Sequence, residues 1–261
     1  MMNNEQENNN SIHDFDFSLI CEYFSSLHRQ GPGSDEVTRQ ALSLIPALHE
    51  GASVADLGCG TGTQTLSLAQ HTMADVTGLD LFPQFIDQLN QRSRDAGLSH
   101  RLRGIVGDMG QLPFERASLD LIWSEGAIYN IGFEKGIELW KSFLKPGGWL
   151  AVSEATWLTD QRPQEIELFW MDAYPEIDTV ERKLKQLEEH GYQQVSYFTL
   201  PDSCWTTNFY LPQQEAQRLF LQRHPDNPTA QMLVANQRHE AELFSKYHND
   251  YGYTFFVAQR P

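Results

Sequence analysis

The chain of 261 residues predicts an α/β fold, a doubly wound and mostly parallel sheet of seven strands with helices on both faces. Two observations predict it. Short apolar runs alternate with amphipathic stretches from Ser53 to Leu200, the pattern of strand–helix–strand units. A last apolar run, YTFFVAQR, returns after a long Gln- and Glu-rich stretch, so a helical insertion precedes the final strand.

Each element has its own signal. MMNNEQENNN, residues 1–10, is polar and reads as a disordered lead. Residues 11–50 read as an N-terminal helical cap. In HDFDFSLICEYFSSLHRQ, Phe15, Leu19, Tyr23 and Leu27 recur on one helical face. GPGS breaks that helix, and Ser34 then caps DEVTRQALSLIPAL, with Val37, Leu42 and Ile45 inward. The core, residues 51–201 and 253–261, begins with the strand SVADLG and the helix TQTLSLAQ. The strand DVTGLD follows, then a helix opened by Pro83 and closed by Gly97. RLRGIVGD and LDLIWS are strands and FEKGIELWKSFL is a helix. KPGG reads as a turn before the strand GWLAVSEATW. TVERKLKQLEEHG is a helix ending on Gly191, before the strand YQQVSYFTL. Residues 202–252 form the insertion, with helical patterns at PQQEAQRLFLQR and TAQMLVANQRHEAELFSKYHNDYG.

Composition removes several function classes. Net charge is −16, from 35 acids against 19 bases, and such a surface repels a nucleic-acid backbone. The densest basic stretch, Arg92 to Arg103, straddles a helix end, where cations suit the dipole. No apolar run approaches the roughly 20 residues that span a bilayer, and the first residues lack a signal-peptide pattern. The expected location is the cytoplasm. Cys21, Cys59 and Cys204 are far apart and odd in number, without CxxC pairing. The histidines show neither HxH nor HxxxH spacing, so no metal site is signalled.

The most specific chemistry lies in VADLGCGTGTQTL. A strand runs into glycines at positions 58, 60 and 62 and then into a helix. Glycine serves where backbone turns sharply and approaches a ligand. Free amides at the helix start favour acceptor oxygens. The lysine of a P-loop is absent, and the spacing is GxGxG rather than the GxGxxG of nicotinamide sites. Asp56 stands two residues before the first glycine, and Asp80 closes the next strand, placed to accept from ribose hydroxyls. The third strand ends in GDM and the fourth in IWSEGAIYNIGF, while LKPGGWLAVSE announces the fifth.

These signals, in this order, resemble the class I S-adenosylmethionine-dependent methyltransferases, whose core is Rossmann-like. The resemblance covers Ala52 to Glu154 most specifically and, with the last strands and the insertion, most of the chain. RQGPGS, WSEGAIYNIGF and VSEATW are similar to a bacterial small-molecule group of unassigned substrate, akin in core to quinone-biosynthesis C-methyltransferases. The resemblance implies S-adenosylmethionine as cofactor and a small organic methyl acceptor. It implies that Asp56, Gly58, Gly60 and Gly62 form the methionine-side loop. Asp80 and Leu81 would meet ribose and the adenine face, and Asp108 and Met109 the adenine edge. Ser124 and Glu125 would lie against the methionine part. The loop from Gln30 to Gly33 either closes over the cofactor as a hinge or is a plain helix-breaking turn.

Catalytic candidates are less determined. Methyl transfer from a sulfonium needs an aligned acceptor, excluded water and sometimes a general base. Glu125 is open to four roles: holding the cofactor's amino group, orienting the acceptor, acting as base, or capping the next turn. Tyr129 points a hydroxyl into the pocket or packs against Trp123. His13 is a base if the N-terminal segment folds over the pocket, or else a solvated cap residue. Trp157 and FWMDAY, residues 169–174, add aromatic surface suited to an aromatic or cationic substrate, or plain core. Cys59 reads as a small apolar filler, with no lysine or histidine beside it to activate it. A cofactor-binding sensor without catalysis and a nucleotide-dependent oxidoreductase stand as rival readings. Oligomeric state, a homodimer included, is open.

Overall fold

The computed structural model of the chain describes residues 17–261. His13, Phe15 and the polar lead therefore lie outside the described residues. Helix α1 (Phe17–Ser25) buries Leu19 and Tyr23 on one face. It stops well before GPGS because Ser25 and Ser26 return their hydroxyls to the carbonyls of Cys21 and Tyr23. The Gln30 amide then takes the carbonyls of Phe24 and Leu27. In α2 (Asp35–Leu42), the Ser34 hydroxyl accepts from the Val37 amide, as its position predicts. Val37 and Ile45 are buried, but Leu42 is only partly so, and Ile45 lies past the helix end.

The core follows the predicted alternation: β1 (Ser53–Leu57), α3 (Thr63–His71), β2 (Asp75–Asp80), α4 (Pro83–Asp95), β3 (Leu102–Val106), β4 (Leu119–Glu125), α5 (Phe133–Lys141), β5 (Leu144–Trp157). KPGG is not a turn ahead of a strand. It lies inside β5 as an irregularity against β4, where Leu119 pairs with Leu144 and Leu121 with Trp149. Such a bulge lets one strand keep pairing through its two glycines. Next come α6 (Gln164–Ala173), a helix that carries most of the aromatic stretch FWMDAY, β6 (Asp178–Thr179), α7 (Val180–Glu189) and β7 (Gln193–Thr199). The insertion supplies α8 (Ser203–Trp205), a π turn at Thr206–Tyr210, α9 (Leu211–Arg223) and α10 (Pro228–Tyr247), before β8 (Tyr251–Gln259).

Among the described residues the sheet has eight strands, the seven predicted and the two-residue β6, which pairs in parallel alongside the end of β5. The order β3-β2-β1-β4-β5-β8-β7 is parallel except at β8, which runs antiparallel to both neighbours. Strand order reverses between β1 and β4, and a crevice opens there beyond the carboxyl ends of the strands. One apolar layer, with Leu68, Leu89, Trp123 and Phe255, fills one face of the sheet; Ile128, Phe133, Trp140 and Leu150 fill the other. A third cluster joins Tyr23 of α1 to Phe220 of α9, so the N-terminal helix and the insertion pack on each other. No helix of the described residues is long and apolar enough to cross a membrane.

Candidate functional site

A cavity of about 530 Å³ opens at the strand ends. Gly58, Gly60, Asp80, Leu81, Asp108, Met109, Glu125, Tyr129 and Gln30 all line it. The glycine loop leaves β1 with positive φ at Gly58, Gly60 and Gly62. Side chains there would be strained, and there is no room for them. A Cβ on Gly58 would lie 2.4 Å from the Ala127 Cβ, and one on Gly60 would lie 2.4 Å from Gln30 Oε1. Close approach of backbone is thus built into the loop.

Asp80 holds the loop from the neighbouring strand. Its Oδ2 accepts from the Gly60 amide at 2.8 Å and its Oδ1 from the Phe82 amide at 3.1 Å. Burial still raises its carboxyl above the usual range, against those amides. Leu81 beside it is open, and Asp108 turns back to accept from the Gly110 amide. The Trp140 indole fixes this corner by donating to the Met109 carbonyl.

Three expected contacts do not reach the cavity. Asp56 is fully buried beneath the loop, where its Oδ2 accepts from the Thr65 hydroxyl and its Oδ1 has no partner. Desolvation, with Glu125 and Asp80 adding to it, pushes its carboxyl up to about 8. Gly62 starts α3 and packs on Leu89. Ser124 points the other way along the strand from Glu125, and its hydroxyl donates to the Leu57 carbonyl.

Glu125 is tied on both oxygens. Arg29 Nη1 donates to Oε2 at 3.0 Å, Thr38 Oγ1 donates to Oε1 at 2.6 Å, and the Trp123 indole donates to Oε1 at 3.0 Å. The three donors and the buried ion pair with Arg29 fix the carboxylate in place at the cavity wall. Gln30 is a clamp rather than a free arm: its Oε1 accepts from the Thr61 amide and hydroxyl while its amide holds the end of α1. Arg29 and Thr38 escaped sequence reading. The signal for Arg29 was its place beside Gln30 in RQGPGS.

Tyr129 sits on a 3-10 turn, Ile128–Asn130, and leaves 41% of its surface open at the cavity. Burial in the fold and the charge of Glu240 keep its phenol above the ordinary range. Its ring meets Tyr174, whose hydroxyl donates to Glu154 Oε1 at 2.6 Å. Glu154 is fully buried and paired with the equally buried Lys183 at 2.9 Å. Trp157 stacks under the Arg162 guanidinium, away from the cavity lining. Burial pushes the Cys59 thiol well above its usual range, which suits a filler.

Among the described residues, four charged side chains line the cavity: Asp80, Asp108 and Glu125 against Arg29. That balance suits a ligand with net positive charge.

Residues 54–148 match the family model described as a methyltransferase domain. The chain is 27% identical over 198 residues to a sterol 24-C-methyltransferase of Pneumocystis carinii, covering 68% of this chain and 52% of that one. It is 30% identical over 195 residues to a malonyl-[acyl-carrier protein] O-methyltransferase of Herminiimonas arsenicoxydans, covering 74% and 65%. The chain thus spans about half the length of the first of these relatives. An S-adenosylmethionine-dependent methyltransferase from Geobacter sulfurreducens, solved with S-adenosyl-L-homocysteine, superposes with a TM-score of 0.80 at 21% identity. That superposition covers 94% of this chain and 98% of the other, so the fold is shared along nearly the whole length.

Proposed function

We propose that this chain, which has the fold of the class I S-adenosylmethionine-dependent methyltransferases, is an enzyme that methylates a small organic molecule. One observation carries the reading: a glycine cradle without room for any Cβ opens into a cavity with three carboxylates and one guanidinium. S-adenosylmethionine fits that set, since its sulfonium and ammonium outweigh its single carboxylate. When bound, it supplies the electrophilic methyl group.

The residues take these roles in the proposal. Gly58 and Gly60 admit the methionine part close to the backbone, with Gln30 bracing the loop from outside. Asp80 uses its remaining lone pairs for the ribose hydroxyls while it holds the Gly60 amide. Leu81 covers the adenine face, and Asp108 and Met109 meet its edge. Arg29 faces the carboxylate of the amino-acid part, and Glu125 faces its ammonium. Asp56, Gly62 and Ser124 support the loop and the strand end without touching the cofactor. Tyr129 and Gly126 form the wall on the acceptor side. Tyr129, protonated at neutral pH, orients the acceptor by its hydroxyl and ring rather than acting as a phenolate base. We place the reaction in the cytoplasm, supported by three buried, unbridged thiols. The acidic balance disfavours a nucleic-acid acceptor.

Isothermal titration with S-adenosylmethionine and S-adenosylhomocysteine tests the reading. No binding at high micromolar concentration would sink it. Incubation with methyl-labelled cofactor and a metabolite extract then tests turnover, and tight binding without any labelled product would leave a sensor rather than an enzyme.

A further inference from the structure

The turn GAIYNI after β4, residues 126–131, carries no charge, and all of it but Ile128 lines the cavity. Ile128 anchors the turn, fully buried in the apolar layer with Phe133. The Gly126 backbone amide donates to Ser153 Oγ of β5 at 2.8 Å, and that of Asn130 donates to the Ala127 carbonyl at 3.0 Å. The Tyr129 ring packs edge-on against Tyr174, with centroids 5.9 Å apart, and Tyr174 is in turn held by Glu154. Tyr129 and Asn130 are nonetheless exposed at the cavity. The wall is fixed before a ligand arrives and still has open surface to offer.

The surroundings of the turn are neutral in sum. Asp80 and Asp108 stand at the ends of β2 and β3, two and three strands from β4, which strand spacing makes about 10 Å and about 14 Å. Among the described cavity residues, the charges next to the turn are Glu125 and Arg29, which pair with each other at 3.0 Å. The turn itself offers apolar surface from Ala127, Tyr129 and Ile131, and polar atoms without charge. Asn130 spends its Nδ2 on the Ala127 carbonyl at 2.9 Å, which leaves its Oδ1 as a hydrogen-bond acceptor. A charged group brought against this wall would lose water and gain no counter-charge.

We infer that the methyl acceptor is an uncharged hydroxyl compound, an alcohol or phenol with an apolar ring or chain. Its apolar body lies on Ala127, Tyr129 and Ile131, and its hydroxyl donates to Asn130 Oδ1. Burial of the apolar body drives binding, and the hydrogen bond sets its direction. An ammonium or a carboxylate in the same place would be desolvated without a partner. The inference rests on the methyltransferase reading for the word acceptor, and the experiment separates the two.

The full chain is first titrated with S-adenosylhomocysteine by calorimetry at neutral pH; failure there overturns the underlying reading. The saturated protein is then titrated with 2-phenylethanol, phenethylamine and phenylacetate, which share one ring and differ in charge. The alcohol should bind about 10-fold tighter than either ion. Asn130→Asp keeps the size of an exposed side chain and adds a negative charge, so it should weaken the alcohol and bring the amine level with it or ahead. Tyr129→Ala should weaken the alcohol about 10-fold through lost apolar contact. Both variants should still bind S-adenosylhomocysteine, which shows that each is folded. No alcohol binding up to about 10 mM, an ion that binds as tightly as the alcohol, a preference unmoved by Asn130→Asp, or an alcohol affinity unmoved by Tyr129→Ala would each overturn the inference.

Discussion

At the glycine-loop end of the molecule, Gln30, Asp80 and Glu125 each already hold two or more donors; at the insertion end, Glu240 has one and, among the described residues, the buried Tyr251 hydroxyl has none. The first end is complete before any ligand arrives. Its loop, strand ends and N-terminal segment brace one another, so little ordering remains to oppose binding. The second end leaves polar groups less fully met among packed rings, where the structure shows no space for a ligand. The first construction suits binding, and the second is packed core.

Lys183→Met would break the contrast most severely, because one buried pair, Lys183 with Glu154, is complete on both partners. It strands Glu154 as an uncompensated buried charge, and the expected loss is about 3–5 kcal/mol of stability in urea unfolding. Adding Glu154→Gln to that variant should recover a large part, and a double variant no better than the single one would contradict the pairing. Gly60→Ala strikes the braced end, with a side chain in the left-handed region pressed on Gln30. A loss of about 1–3 kcal/mol is expected, together with weaker S-adenosylhomocysteine binding by calorimetry. A neutral result would mean that Gln30 yields freely.

A third test uses pH. Asp56, raised from 3.8 to about 8, binds its proton more strongly folded than unfolded. Its contribution is therefore intact below the unfolded value and is lost as pH rises toward 8. Asp80, Glu154 and Glu240 are raised too and act with the same sign. Urea midpoints should fall between pH 5 and pH 8, and Asp56→Asn should flatten part of the fall. A rising midpoint would refute the assignment. The smallest effect expected is from Thr38→Val, which removes one of three donors from Glu125. About 1–2 kcal/mol, read as a several-fold weaker cofactor analogue affinity, sharpens how redundant the braced end is.

The strand and helix order was legible because periodicity and glycine placement are local. Gly58, Gly60 and Asp80 fall within one strand–helix–strand unit, so their convergence followed from local spacing. The direction of the Ser124 side chain was also legible, because side chains alternate along a strand and Ser124 and Glu125 face opposite ways. The Arg29–Glu125 pair joins positions 96 apart, and nothing in either neighbourhood announces the other. Tyr174 likewise meets Tyr129 only through the packing of α6 on the strand ends. KPGG was legible as glycine-rich but not as a bulge, since pairing with Leu119 decides that.

The position of β8 bears on how the molecule assembles. It lies between β5 and β7, yet it follows both in the chain and follows the whole insertion between them. Thr156 and Thr254, which share a hydrogen bond across that seam, are 98 residues apart. Until β8 arrives, the long apolar edge of β5 stands open, and closing so large a loop is slow. Refolding should therefore pass through a species in which β7 waits undocked for the strand that joins it to β5, and that waiting edge of β5 is where a second unfolded copy could pair instead.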